Sequence, residues 1–306
     1  MSYPEVLSAV NVSSKDNGYR TTDPTRRRAL IALVAARCPQ YELLHDGMIS
    51  LIFKHKELEP ALAGGAPLLL ISSHLDEVYP VPCFHVDHDA ATHPKNRLGL
   101  SEAWRGTFDN SSTNAAVLEA MRQGALPPSA LVAFEGDEEG GMDSDDDDVS
   151  GRGVYEVMAV CKHYEPKWGP LALVVVLDVT PFKGGAAHYT LENYFAHSAR
   201  QTAPQAPVAP RLRFPSKRAL LDEALRALPG TPNIDDDHPD AGPDSSWDYD
   251  EHQVNVLSLC MPVMFMGRSK AFDDRSGQII FKDTPPAYIQ ALVTLTRHMS
   301  ALPTAP

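Results

Sequence analysis

The chain has 306 residues, of which 43% are hydrophobic and 22% charged, enough apolar content for a core and too much for bulk disorder. Its formal charge of −13 at pH 7 suits neither nucleic acid nor an anionic membrane surface. No apolar run approaches the roughly 18–20 residues of a bilayer span, and MSYPEVLSAV lacks the basic and apolar regions of a signal peptide. The four cysteines are scattered without a CxxC pair, which argues against a thiolate zinc site and a disulfide framework. A globular, cytoplasmic protein is expected.

In chain order, Asp23-Pro24 followed by TRRRALIALVAARC predicts a capped amphipathic helix reaching about Cys38. Residues 48–54 (MISLIFK) and 67–73 (PLLLISS) are short apolar runs and read as strands. SSTNAAVLEAMRQG (111–124) predicts a helix closed by Gly124, SALVAF (129–134) a strand, and GRGVYEVMAVCKH (151–163) another helix. LALVVVLDV (171–179) is apolar on both faces, as a central strand covered on two sides must be. The proline-rich 201–215 and the acidic, turn-forming 233–252 interrupt the pattern, with a helix over 216–228 between them. Order resumes with a strand at 254–263 and a closing helix at 284–302. Strands alternating with helices of this length predict a three-layer α/β/α sandwich. Its central sheet should be mostly parallel, with helices on both faces. We expect one domain over 1–306, with irregular surface excursions at about 183–252 and no separate lid domain.

Four clusters of metal-ligand residue types fall beside these runs: Ser73-His74-Leu75-Asp76, Thr107-Phe108-Asp109-Asn110, Phe134-Glu135-Gly136-Asp137-Glu138-Glu139, and Asp178 within VVVLDVT. Each lies about one strand–helix unit from the next, so each unit returns a ligand-type side chain to the carboxyl edge of the sheet, where open α/β sheets bind ligands. Imidazole and carboxylate donors suit Zn²⁺, and one carboxylate can bridge two ions. Adjacent Glu138 and Glu139 can divide metal binding from proton transfer. There is no GxSxG elbow and no glycine-rich phosphate loop.

SSHLDEV, GTFDNSSTNAAVLEAM, FEGDEEGG and LDVT, in that order, resemble the motifs of the co-catalytic dinuclear zinc exopeptidases and deacylases, peptidase clan MH. The resemblance covers roughly 20–180 and, more weakly, 254–302. It implies a zinc-exopeptidase fold of the phosphorylase/hydrolase-like type and a metal-dependent hydrolase of amide bonds, acting on a small peptide or an acylated amino acid. It also implies two Zn²⁺ ions, with Mn²⁺ or Co²⁺ as alternatives. His74 and Asp178 would bind one ion, Glu139 the other, and Asp109 would bridge them. Glu138 would be the general base, and Asp76 would orient His74. A cis peptide after the bridging aspartate, here Asp109-Asn110, belongs to the same pattern. The spacing favours a compact, aminopeptidase-like member, and nothing in it speaks to oligomeric state.

One expected ligand is missing. The family places a histidine after the penultimate strand, yet MPVMFMGRSKAFDDRSGQIIFKD contains none. Phe272 or Asp273 falls nearest, and Asp273 can serve as a carboxylate ligand, with Asp274 next; His238 and His252 are further candidates. This departure keeps open a one-metal or catalytically impaired descendant that uses the fold for binding or structure. Residues 143–148, the 85–93 loop and Asp235–Asp237 read as solvated surface rather than cation sites.

Overall fold

The computed structural model describes residues 3–10, 24–75, 103–106, 108–136, 151–181, 188–192, 212, 214–230, 233–235, 245–265 and 278–304. The helices are α1 (Tyr3–Val10), α2 (Pro24–Arg37), α3 (Leu58–Ala63), α4 (Ser111–Arg122), α5 (Arg152–Trp168), α6 (Lys217–Ala227), α7 (Ser245–Glu251) and α8 (Thr284–Ser300). The strands are β1 (Tyr41–Asp46), β2 (Leu51–His55), β3 (Leu68–His74), β4 (Ala103–Gly106), β5 (Ala130–Glu135), β6 (Leu171–Pro181), β7 (Thr190–Glu192), β8 (Asn233–Asp235), β9 (Val256–Phe265) and β10 (Gln278–Phe281). No described helix is long and apolar enough to cross a membrane.

The strands lie in the order β1-β2-β5-β3-β6-β9-β10-β4, with β7 also pairing with β9 and β8 pairing with β7. The four central strands, β5-β3-β6-β9, run parallel. β1, β2, β10 and β4 extend the sheet antiparallel on either side, so the whole is mixed rather than mostly parallel.

Alternation along the central strands sorts their side chains into two layers. Leu69 and Ile71 of β3 join residues of α2, α4, α6 and α8 on one face. Leu68 and Leu70 meet Leu58, Val157 and Trp168, from α3 and α5, on the other. The expected three layers are present. They explain why every residue of β3 and β5 is buried, leaving no solvated face for polar alternation.

Helices α2, α4, α6 and α8 begin and end close to the positions the sequence predicts. Gly124, just past α4, has φ +61°, a conformation that glycine adopts without steric cost. Three readings need correction. The expected strand at 48–54 begins only at Leu51, and β1 precedes it. Met48 and Ile49, although apolar, belong to the turn between β1 and β2. There the Glu156 carboxylate accepts hydrogen bonds from the N–H groups of Met48, Ile49 and Ser50 at 3.0, 3.0 and 2.7 Å. Helix α5 runs to Trp168 instead of stopping near 163. Pro166 lies in its last turn, where Trp168 is buried and stacks on Tyr164 with ring centroids 4.2 Å apart. The acidic stretch 233–252 holds β8 and α7 rather than turns alone, and Tyr249 of α7 is fully buried. Most of 201–215 lies outside the described residues.

Helix α5 begins against the end of β5. A Cβ added at Gly153 would stand 2.2 Å from the carbonyl oxygen of Gly136 and 3.1 Å from Cβ of Glu135. Backbone cannot yield as a flexible side chain does, so Gly153→Ala should destabilise by about 1–3 kcal/mol. Leu70→Ala, opening a cavity in the fully buried centre of β3, should cost about 2–5 kcal/mol. Chemical denaturation of both variants checks these values, and near-wild-type stability for either would contradict the packing described.

Candidate metal centre

The carboxyl ends of β3 and β6 carry two of the candidate ligands. His74 is the last residue of β3 and is 2% exposed, and Asp178 lies within the long β6. Because side chains alternate, His74 lies on the same face as Ser72 and Leu70, and Asp178 on the same face as Val174 and Val176. The third, Asp109, immediately precedes the α4 N-terminal turn and is 6% exposed. His74 Nε2 lies 3.0 Å from Asp109 Oδ1 and 3.6 Å from Asp178 Oδ1. One ligand atom from each of the three residues falls within 4.8 Å of the other two.

The first turn of α4 holds this arrangement together. Asn110 occupies the N-cap position, but its side chain does not cap the helix. Its Nδ2 instead donates to the carbonyl of Leu177 at 2.7 Å, tying the Asp109 loop to β6 one residue before Asp178. Asn114 Nδ2 donates to the carbonyl of His74 at 2.9 Å, and the hydroxyls of Ser73 and Thr113 lie 3.0 Å apart. Phe108 N–H donates to Gln278 Oε1 at 2.7 Å. On Asp178, the N–H of Val179 donates to Oδ1 at 2.6 Å, orienting the carboxylate. The Asp109-Asn110 peptide is cis, as the resemblance implies. None of these polar anchors was assigned a role from sequence, where Asn110, Thr113 and Asn114 read only as a polar start to a helix.

Leu75 is held at both polar groups. Its N–H donates to the carbonyl of Glu135 at 2.5 Å, and its carbonyl accepts from Nη1 of the buried Arg26 at 2.8 Å. Glu135 itself is 1% exposed, and its Oε2 accepts from the Tyr249 hydroxyl at 2.8 Å. Burial pushes its carboxyl up to about 7; nearby Ser245, Tyr249 and Ser72 hydroxyls offset only part of that cost. Sequence reasoning passed over Glu135 as one more acid in a cluster.

The donor set fits a divalent cation: two carboxylates and an imidazole, all largely buried, supply the oxygen and nitrogen donors that such an ion takes. Tetrahedral zinc with bonds of about 2.0–2.1 Å places neighbouring ligand atoms about 3.3 Å apart. The two His74 separations bracket that distance. Asp76, Glu138, Glu139 and Asp273 lie outside the described residues, as do residues 266–277 of the stretch expected to supply the missing histidine ligand. His252 is described, at the end of α7, and is not among the three clustered residues.

No family model matches the sequence, and no curated protein matches it. Solved structures do. A TET aminopeptidase from a Thaumarchaeota archaeon aligns with TM-score 0.56 at 11% identity, covering 98% of this chain and 96% of that one. The aminopeptidase PepT from Bacillus cereus aligns with TM-score 0.55 at 11% identity, over 96% and 97%. A glutaminyl cyclase from Macrostomum lignano aligns with TM-score 0.55 at 12% identity, over 97% and 88%. At such identities the likeness is one of fold.

If Glu135 carries the raised pKa described, metal-free protein should show it in stability. A carboxyl whose folded value lies above its unfolded one contributes stability below the unfolded pKa and loses it as pH rises through the folded value. Measured with chelator present, the wild type should lose stability relative to Glu135→Gln between about pH 4.5 and 7. Parallel curves across that window would contradict it. The fold, spanning nearly the whole chain, is the α/β fold of these aminopeptidase structures.

Proposed function

We propose that the protein is a metal-dependent hydrolase of amide bonds, of aminopeptidase, carboxypeptidase or N-acyl-amino-acid deacylase type. The observation that carries this reading is the convergence of His74, Asp109 and Asp178 from distant parts of the chain onto one buried point. The aminopeptidase neighbours support a peptidase reading; the glutaminyl cyclase neighbour is a reminder that the reaction is decided by the site and not by the fold.

In this reading His74, Asp109 and Asp178 hold Zn²⁺, with Glu139 and Asp273 completing a second position. Bound zinc would lower the pKa of a coordinated water and polarise the scissile carbonyl. The chain supplies the rest. Glu138 takes the proton from the attacking water and delivers it to the leaving amine, as a general base and then acid. Asp76 orients the His74 ring. The α4 anchors fix Asp109 relative to His74 and Asp178, so that donors are in place before a substrate arrives. Small peptides or acylated amino acids are the substrate class. A catalytically impaired descendant would keep the three-residue cluster and lose turnover.

Protein purified without chelator should retain zinc, manganese or cobalt, and exhaustive chelation should abolish cleavage of a panel of aminoacyl, peptidyl and N-acyl substrates. Glu138→Ala should lower kcat by about 10²–10⁴-fold while the metal content stays at the wild-type level. Retained metal with no turnover across the panel would favour the impaired descendant, and protein that holds no metal would contradict the hydrolase.

A further inference from the structure

One buried network beside the metal centre has no part in the mechanism above. Tyr249 of α7 is fully buried and joins the core layer that packs on one face of β3 and β5. Its hydroxyl lies 2.8 Å from Glu135 Oε2 and 2.9 Å from Ser72 Oγ. A hydroxyl has one proton to give. When it donates to the ionised Glu135, the bond from Ser72 must run the other way, so Ser72 donates to Tyr249 and Tyr249 to Glu135.

The strand register makes this network local to the candidate centre. Ser72 lies on the same face of β3 as His74, one pleat earlier. Glu135 is the direct partner of His74 across the parallel β3–β5 pair, and its carbonyl accepts the N–H of Leu75, the residue after His74. Tyr249 therefore spans β3 and β5 at the level from which His74 projects, and Glu135 ends the strand that leads toward Glu138 and Glu139. A carboxyl here is costly: it is 1% exposed, and its Oε1 has no hydrogen-bond partner among the described residues. An aliphatic side chain would fill the layer without that cost, so packing alone does not account for it.

We infer that Glu135 and Tyr249 are positioning residues for the metal centre, the Tyr249 hydroxyl bridging Glu135 to Ser72 and so holding the ends of β3 and β5, and with them His74, in ligating register. Neither residue touches the ion. The inference rests on the reading of His74, Asp109 and Asp178 as a metal centre. It assigns α7, a segment that the sequence presents as acidic turns, a part in holding that centre.

The test uses the full chain loaded with Zn²⁺ or Co²⁺. Zinc affinity is measured by competition with a chelating dye, and the visible absorption of the Co²⁺ form reports ligand geometry. Tyr249→Phe and Glu135→Gln, both near-isosteric, should each weaken zinc binding about tenfold, the lower end of what loss of a supporting partner costs a metal site. Each should also change the Co²⁺ absorption, and the double variant should be little worse than either single one. Ser72→Ala serves as a third variant should Tyr249→Phe fail to fold. Wild-type zinc affinity and an unchanged Co²⁺ spectrum in the variants, with only the melting temperature lowered, would overturn the inference and leave the metal centre standing. A wild-type protein that binds neither ion would overturn both.

Discussion

Two carboxylates and an imidazole brought together out of water set the terms for this molecule. Asp109 and Asp178 lie within 3.0 and 3.6 Å of the same His74 nitrogen, in a place where each is mostly shielded from solvent. Like charges in such a setting repel strongly and solvate poorly. A divalent cation at their common centre relieves both costs at once. The rest of the fold reads as the apparatus that brings these three groups, from distant parts of the chain, into one place.

That apparatus is mostly backbone and amide. The parallel register of β5, β3 and β6 delivers His74 and Asp178 to the same edge of the sheet and leaves Glu135 beside His74. Helix α4 is buried along nearly its whole length, which a helix of its polar start could not tolerate unless those groups were bonded. Asn110, Thr113 and Asn114 meet that need by bonding to Leu177, Ser73 and His74. The same bonds that make the helix end compatible with burial also fix the spacing of His74, Asp109 and Asp178. Stability and site geometry are here one set of interactions.

The layered fold was legible because its central strands are apolar on both faces and because ligand-type residues follow them at regular intervals. His74, Asp109 and Asp178 were legible for the same reason. What the sequence concealed has identifiable causes. Met48 and Ile49 look like strand residues, but a turn whose amide groups are bonded by Glu156, from another helix, can carry apolar side chains into solvent; Met48 is 83% exposed. Helix α7 was hidden by its acidic composition, although Ser245 and Tyr249, spaced one turn apart, are both buried. Glu135 was hidden by its neighbours, since nothing in a run of acids marks it as buried. The side chain of Asn110 is a cross-link to β6, which depends on a partner 67 residues away and leaves no local mark in the sequence.

The central claim is spatial, and anomalous diffraction from crystals of zinc-loaded protein, recorded at the zinc absorption edge, tests it directly. The account predicts a peak within bonding distance of His74 Nε2 and of one carboxylate oxygen each from Asp109 and Asp178. Zinc bound elsewhere, with His74 still paired to Asp109 and no peak between them, would contradict it.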